Sequence, residues 1–486
     1  MEMFDIKDAI ELLSEKKISS VELTKNCLEK ISSIDQKLGS MLYVDGKKAL
    51  EDAKASDERR KSQSVLSDID GIPVTLKDMI LTKDMPTTAS SRILEGYIPP
   101  YDATVVLKLK QAGAVILGKT NQDEFAMGGS NENSSYKPCF NPWDLTRTPG
   151  GSSGGSAASV SAEMCFSSLG TDTGGSIRQP AAYCGAVGLK PTYGRVSRFG
   201  IIAFASSLDQ VGPISKSVTG TAAILSHISG FDINDSTSRN CSVPVFHKEL
   251  SRNLKGKKIG VPEEYFCDGI DVAVKKSIFS IIDLLKKSGC EIENISLPHT
   301  KYAVPTYYII ATAEASSNLS RYDGIRFGPR VGDEKSLLEL YERTRGELFG
   351  KEVKRRIALG THVLSAGYYD AYYLRAQKVR RLFANDFKAA FSKVDLIISP
   401  TAPTTAFRIG EKIDDPIAMY LNDVYTISAN LAGLPAISVP IGFDEANLPI
   451  GAQLTGRPFH EQEILNCAFH IEGELNLNLS PASLKS

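Results

Sequence analysis

Two clusters of glycine and serine concentrate the side chains best suited to chemistry in this 486-residue sequence. Pro149-Gly-Gly-Ser-Ser-Gly-Gly-Ser-Ala-Ala158 comes first, and Gly170-Thr-Asp-Thr-Gly-Gly-Ser-Ile-Arg-Gln-Pro180 follows. A serine hydroxyl becomes a nucleophile only when a neighbouring base takes its proton. The pattern fits a core pressed closely around a ligand. It fits a pair of flexible turns as well, because Gly and Ser are ordinary turn residues. Inside the first cluster, Gly150-Gly-Ser152-Ser-Gly154 matches the G-x-S-x-G nucleophile elbow. An elbow needs an apolar strand before it, and Pro138, Pro142 and Pro149 interrupt that stretch. All six histidines (His227, His247, His299, His362, His460, His470) lie downstream, so a distant histidine base stays open. Gly113-Ala-Val-Ile-Leu-Gly-Lys-Thr120 has the letters of a phosphate-binding loop. Its Ala-Val-Ile-Leu centre reads as a strand instead, which cannot wrap a phosphate in backbone N–H groups.

The elements around these clusters predict an α/β fold. The first sixty residues read as helices: Ile6, Ala9, Ile10 and Leu13 recur at helical spacing, and Ser19 with Glu22 forms a capping-box pattern. Residues 50–68 read as an exposed helix and loop. Asp70-Gly-Ile-Pro-Val-Thr-Leu-Lys77 reads as a turn feeding a short strand. A helix over 103–112, a cap at Gly113 and a strand over 114–117 follow. The same unit recurs as a helical stripe from Val274 to Leu285, a cap at Gly289 and a strand over 290–297. A small-residue helix is expected over 157–166 between the Gly/Ser clusters. A helix at 371–391 leads into a strand at 395–400, and two more strands are expected at 436–440 and 449–454. Such alternation predicts a central sheet with helices on both faces. The loosest stretch, 231–256, reads as a surface loop. No repeat or linker divides the chain, so residues 1–486 are expected to form one domain, with a helical segment of about 1–65 packed on it.

Composition narrows the function classes. Lys plus Arg number 56 and Asp plus Glu 57, a net charge of −1. That balance argues against a chain whose main task is neutralising phosphates on nucleic acid. The cysteines (Cys27, Cys139, Cys165, Cys184, Cys241, Cys267, Cys290, Cys467) never fall as C-x-x-C, so neither a zinc ribbon nor a disulfide scaffold is expected. No run approaches the roughly 18 apolar residues of a membrane span. The acidic start, Met1 to Asp8, does not read as a secretory signal. A cytoplasmic protein without a metal site is expected.

The clusters acquire a sharper meaning with their neighbours. From Asp70-Gly-Ile-Pro-Val-Thr-Leu-Lys-Asp78 through Gly118-Lys-Thr-Asn121, both Gly/Ser clusters and Val187-Gly-Leu-Lys-Pro-Thr192 to Ser207-Leu-Asp-Gln-Val-Gly-Pro213, the sequence resembles the amidase signature family of serine hydrolases. The resemblance implies a mixed twisted sheet flanked by helices and a Ser–Ser–Lys triad. Ser176 would be the nucleophile, Ser152 the bridging serine after a cis Gly151–Ser152 peptide, and Lys77 the base. A lysine serves as base only when neutral, which burial favours. Lowering its pKa from about 10.4 to near 7 requires roughly 3–5 kcal/mol of differential desolvation. The backbone N–H groups of Thr173, Gly174, Gly175 and Ser176 would form the oxyanion hole, where each lost donor costs about 3–4 kcal/mol. Ser153, Ser156, Asp172, Arg178 and Gln179 would shape the loops.

Within that family, the segments 308–324, 365–377 and 419–426 resemble the glutaminase subunits of tRNA-dependent amidotransferases. The resemblance then implies glutamine as substrate and ammonia as the product passed on. Its partners would be a B subunit that binds tRNA, ATP and magnesium, and a small C subunit. Arg356 would hold the α-carboxylate, for which a bidentate arginine is suited, and Asp423 the α-ammonium. Tyr307, Met127 and Gly128 would line the pocket. Read without the resemblance, Arg356 belongs to a basic run on a solvated helix face and Asp423 to a helix cap. A free-standing amidase acting on another small amide, and a catalytically dead scaffold protein in the same complex, are the competing readings. Whether Asp-tRNA(Asn) is an acceptor besides Glu-tRNA(Gln) is left open.

Overall fold

A computed structural model of the chain describes residues 5–266, 269–332 and 336–484; Cys267 lies outside them. The N-terminal helices α1 (Ile6–Ser14) and α2 (Ser20–Leu38) form as their patterns dictate. Asp5 caps α1, and the Ser19–Glu22 capping box is complete at the start of α2. The reading of the first sixty residues as helical needs one correction. Strand β1 (Met41–Val44) interrupts them before α3 (Gly46–Lys61). Its four residues are too few to show a period, and it is fixed by antiparallel pairing with a strand more than seventy residues on.

Next come β2 (Pro73–Lys77), α4 (Thr104–Gln111), β3 (Val115–Thr120), α5 (Gly154–Ser161), β4 (Ser167–Asp172), α6 (Arg178–Cys184), β5 (Val187–Lys190) and β6 (Gln210–Ser215). The phosphate-loop match is thus a buried strand, β3, as its apolar centre predicts. The helix expected over 157–166 starts three residues earlier and stops at Ser161, because the backbone from Ser167 is taken into the sheet as β4. Helix α7 (Val218–Ile228) leads into the irregular 231–256 stretch. Then β7 (Lys258–Pro262), α8 (Val272–Lys287) and β8 (Glu291–Ile295) follow.

A helical layer comes next: α9 (Ala303–Asn318), α10 (Leu337–Leu348), α11 (Lys351–Leu364) and α12 (Arg375–Ala390). The helix expected at 371–391 begins as a π-helical turn, Tyr369–Leu374, and turns α-helical at Arg375. The chain ends with β9 (Leu396–Pro400), α13 (Pro416–Leu421), α14 (Ile427–Leu431), β10 (Ala436–Phe443), β11 (Pro449–Thr455) and α15 (Glu461–Leu475).

The eleven strands of the described residues join one mixed sheet in the order β1-β3-β2-β4-β6-β5-β10-β11-β9-β7-β8. The β2–β3, β2–β4, β7–β8 and β7–β9 pairs are parallel and the rest antiparallel. The main apolar core lies along this sheet, from Val74, Leu117 and Leu169 through Ile214 to Ile437 and Leu454. A second core joins Phe125, Phe204, Tyr307, Phe349, Val353 and Phe383, and so fastens the helical layer over one end of the sheet. Helices α9 and α11 pack very closely, since a Cβ at Gly360 would overlap the Thr312 carbonyl. Among the described residues no helix is long and apolar enough to cross a membrane.

Candidate active site

Parallel pairing of β2 with β4 brings the C-terminal ends of both strands together, the edge where α/β sheets place ligands. Lys77 is the last residue of β2 and is fully buried. Its Nζ donates to Ser152 Oγ at 2.7 Å and to Thr171 Oγ1 at 2.9 Å. Burial pulls its pKa down to about 7, against the opposing charges of Asp123, Asp172 and Asp209. A large share of the Lys77 amines is therefore neutral at ordinary pH, and a neutral amine can accept a proton.

The two Gly/Ser clusters meet here. The Gly151–Ser152 peptide is cis, and the Gly151 N–H donates to Gln179 Oε1 at 2.9 Å. The Ser153 N–H donates to the Ser176 carbonyl at 3.2 Å, tying the first cluster to the second. Ser153 and Ser156 serve the frame: Ser153 Oγ donates to the Thr171 carbonyl at 3.1 Å, and Ser156 Oγ pairs with Thr120 Oγ1 at 2.7 Å. Ser176 lies at the edge of burial, 9% exposed, and its hydroxyl makes no hydrogen bond to Ser152. Lys77 and Ser152 are thus in direct contact, while Ser176 is joined to them through backbone.

One expected donor of the oxyanion hole is already engaged. The Gly175 N–H donates to Asp172 Oδ1 at 2.9 Å, and the Ile177 N–H to Asp172 Oδ2 at 3.2 Å. The Gly175 N–H would have to share or leave that carboxylate to serve an oxyanion. The N–H groups of Thr173, Gly174 and Ser176 make no hydrogen bond among the described residues and remain the available donors. Gly175 has another role: its φ of +133° and the crowding of Thr426 against it exclude a side chain.

Asp172 is the knot of this loop. It takes Arg178 Nε at 3.0 Å and Nη2 at 2.9 Å, with Asn430 Nδ2 at 2.8 Å. Burial works against its charge, yet Arg178 prevails and holds the carboxyl well below its usual range. Thr426 Oγ1 donates to the Gly174 carbonyl at 2.6 Å, and Thr173 Oγ1 to Asp209 at 2.7 Å. Burial raises Asp209 and Asp123 to about 6 each. Asp123 accepts the Asn131 N–H at 2.9 Å and crowds Gly128 and Gly151.

The residues expected to line the substrate pocket come from the helical layer and the loops beside it. The Tyr307 ring lies against Gly174. Met127 is buried, and Gly128 lines a cavity of about 220 Å³ together with Arg356, Met419 and Tyr420. Arg356 is not on a solvated face: it is 3% exposed, whereas its neighbour Lys354 is exposed. Its Nε donates to Glu352 Oε1 at 2.8 Å, and its guanidinium sits 5.2–5.6 Å from the rings of Tyr308, Tyr420 and Phe204. Burial alone would weaken its charge, but Tyr308 and Glu352 raise its pKa above the usual arginine value.

Asp423 makes no side-chain cap, and its Oδ1 is shielded with no hydrogen-bond partner among the described residues. Burial first, then Asp172, pushes its pKa up to about 8. The charges of Arg356 and Asp423 both act on the Tyr307 hydroxyl, and that of Arg356 also acts on Asp423. Neither type nor spacing marks Thr171, Asp123, Asp209, Thr426 or Glu352 in the sequence. Thr171, Asp209 and Thr426 do sit in the segments that carry the resemblance.

None of the six histidines hydrogen-bonds Ser152 or Ser176. His227 and His247 bind Asp68, His299 binds Asp386, His362 packs on Tyr368, His460 pairs with Glu463, and His470 bonds Ser288. Among the described residues, no group of three or more histidine, cysteine or acidic side chains is arranged to hold a metal ion.

The Amidase family model matches residues 22–465. The chain is 55% identical over 486 residues to the A subunit of glutamyl-tRNA(Gln) amidotransferase from Geobacter sp. (strain M21), with all of both chains covered. It is 53% identical over 481 residues to the same-named protein of Nostoc sp. (strain PCC 7120), covering 98% of this chain and 99% of that one. The crystal structure of the same-named protein from Thermotoga maritima superposes with a TM-score of 0.82 at 45% identity, covering 98% and 96% of the two chains. The peptide amidase of Stenotrophomonas maltophilia superposes at 0.83 with 29% identity, covering 98% of each.

Proposed function

The chain belongs to the Amidase family, and from that premise we propose that it is the glutamine-hydrolysing A subunit of a glutamyl-tRNA(Gln) amidotransferase. Its similarity to proteins of that name over its full length supports the reading. The observation that carries it is a buried cation, Arg356, and a half-buried acid with an unsatisfied oxygen, Asp423, whose charges both act on Tyr307, the ring that lies against Gly174 in the loop of Ser176. Free glutamine carries both complementary charges at its α-carbon, and its reacting amide lies at the far end of the side chain.

In this mechanism neutral Lys77 takes the Ser152 proton as Ser152 takes that of Ser176. Ser176 Oγ attacks the γ-carbonyl carbon of glutamine. The negative charge on the carbonyl oxygen falls to the N–H groups of Thr173, Gly174 and Ser176. The proton returns through Ser152 to the amide nitrogen, the C–N bond breaks and ammonia departs, with a γ-glutamyl ester left on Ser176. A water molecule, deprotonated along the same route, hydrolyses the ester to glutamate. Tyr307 keeps the loop under the substrate, and Met127 and Gly128 form the opposing wall.

The whole chain works as one amidase domain in the cytoplasm, with residues 1–65 packed on it, and needs no cofactor of its own. Its partners are the B subunit, which binds tRNA, ATP and magnesium and receives the ammonia, and the C subunit. Glu-tRNA(Gln) is the acceptor, and Asp-tRNA(Asn) is the second acceptor to test. The experiment is ammonia release from glutamine by the tagged chain with its co-purified partners, wild type beside Ser176→Ala, with and without glutamyl-tRNA and ATP. Release that disappears in the variant and rises with tRNA and ATP is expected. Cleavage of a simple aryl amide by the chain alone, with glutamine untouched, would establish the free-standing amidase instead.

A further inference from the structure

The loop that offers the oxyanion donors is held from two sides by elements with little regular structure of their own. On one side, the irregular 203–209 segment delivers Asp209 to Thr173 Oγ1 at 2.7 Å. On the other, the five-residue α14 and the turn before it deliver Thr426 to the Gly174 carbonyl at 2.6 Å and Asn430 to Asp172 at 2.8 Å. One side chain bridges both holders. Arg380, half-buried on α12, donates Nε to the Leu431 carbonyl at the end of α14 at 3.0 Å. Its Nη1 donates to Ser207 Oγ at 2.7 Å and its Nη2 to the Ser207 carbonyl at 2.8 Å. Glu314 on α9 takes the Ser207 N–H at 2.8 Å, completing the grip.

We propose that Arg380 is a positioning residue for the oxyanion loop: a three-pronged clamp that sets the spacing between the 203–209 segment and α14, and through them the Thr173 and Gly174 N–H groups. It touches neither substrate nor Ser176. The guanidinium geometry is the essential feature. It satisfies an orphan helix-end carbonyl along one edge and both oxygens of Ser207 along the other, which a lysine ammonium cannot do at once. Oxyanion donors act only when they sit within about 0.5 Å of their working positions, and a shift of about 1 Å can cost roughly 10²-fold in rate. The clamp is thus expected to govern the acylation rate and leave glutamine affinity, set at Arg356 and Asp423, untouched.

The proposal rests on Ser176 being the nucleophile, and the test separates the two. Phenylmethylsulfonyl fluoride is used as probe: Ser176 Oγ bonds to sulfur, the S–F bond breaks, fluoride leaves, and the serine proton passes to Ser152 and Lys77. Labelling is followed by peptide mass, beside kcat and KM for glutamine and the melting temperature. With Arg380→Lys we expect Ser176 labelling and kcat to fall by about 10- to 100-fold, with KM within twofold of wild type. Ser207→Ala, which removes one prong and preserves the fold around it, is expected to slow both by a few-fold. Labelling of Ser176 at the wild-type rate in both variants, or a change confined to KM, would overturn the clamp. A wild-type chain with no label on Ser176 would overturn the active-site reading and the clamp with it.

Discussion

The edge of the sheet and the helical layer above it solve different problems. At the sheet edge, strand pairing sets Lys77, Thr171 and Asp172 side by side, and their side chains are all engaged in hydrogen bonds. Around the base, charge is suppressed: burial makes Lys77 a weak cation and turns Asp123 and Asp209 into weak acids, while Asp172 stays ionised against Arg178. In the helical layer charge is kept or left waiting. Arg356 is held fully ionised by Glu352 and its aromatic collar, and Asp423 has an oxygen with no partner among the described residues. A site that moves protons needs groups poised near neutrality, whereas a site that grips a zwitterion needs opposite charges once the substrate is bound: Arg356 is charged beforehand, and Asp423, raised to about 8, ionises against the incoming ammonium. The comparison predicts that sheet-edge variants lose turnover and helical-layer variants lose affinity.

The largest effect should come from the triad. Ser176→Ala and Lys77→Ala should each lower kcat by about 10⁴-fold, and the double variant should be scarcely worse, since residues that act as a unit are not additive. Steady-state ammonia release checks this, and losses that multiply would break the unit apart. Next, Arg356→Lys removes the planar fork that fits a carboxylate. KM for glutamine should rise by roughly 10- to 100-fold, the equivalent of about 1.5–3 kcal/mol for a charged hydrogen bond, with kcat nearly constant. A fall in kcat with constant KM would place Arg356 with the triad.

pH separates the regions again. Lys77 must be neutral to act, so kcat should rise as pH increases through about 7 and level off above it. Asp423 must be ionised to hold an ammonium, so KM should fall as pH increases through about 8. Bound substrate supplies the opposing charge, so this second limb belongs to the free enzyme alone. Asp423→Asn should erase the limb in KM and leave the limb in kcat. Titration of both parameters in the two proteins decides it. The smallest effect is expected from Glu352→Gln, which keeps a hydrogen-bond acceptor for Arg356 and removes the charge. KM should rise by only about 3- to 10-fold, while a rise as large as that of Arg356→Lys would make Glu352 a substrate contact.

The two regions are also unequally legible in the sequence. Lys77 ends an apolar strand, the Gly/Ser clusters are dense, and the capping box at Ser19 has a local signature; all three are short-range patterns. Strand β1 has no such pattern, because only its pairing with β3 makes it a strand. That Asp172 turns back and takes the Gly175 N–H is not visible in the sequence. Thr426 reaches Gly174 across 252 residues and Arg380 reaches Ser207 across 173, and no local pattern encodes either contact. The basic run Lys354-Arg355-Arg356 reads as a solvated face until α11 packs against α9 and turns Arg356 inward.

The mechanism turns on which serine carries the acyl group. Rapid acid quench of the complex during glutamine turnover, followed by peptide mass mapping, tests it directly. The mechanism predicts one γ-glutamyl group on the peptide carrying Ser176 and none on Ser152, with the adduct absent from Ser176→Ala. An adduct on Ser152, or steady ammonia release with no adduct on either serine, would contradict it.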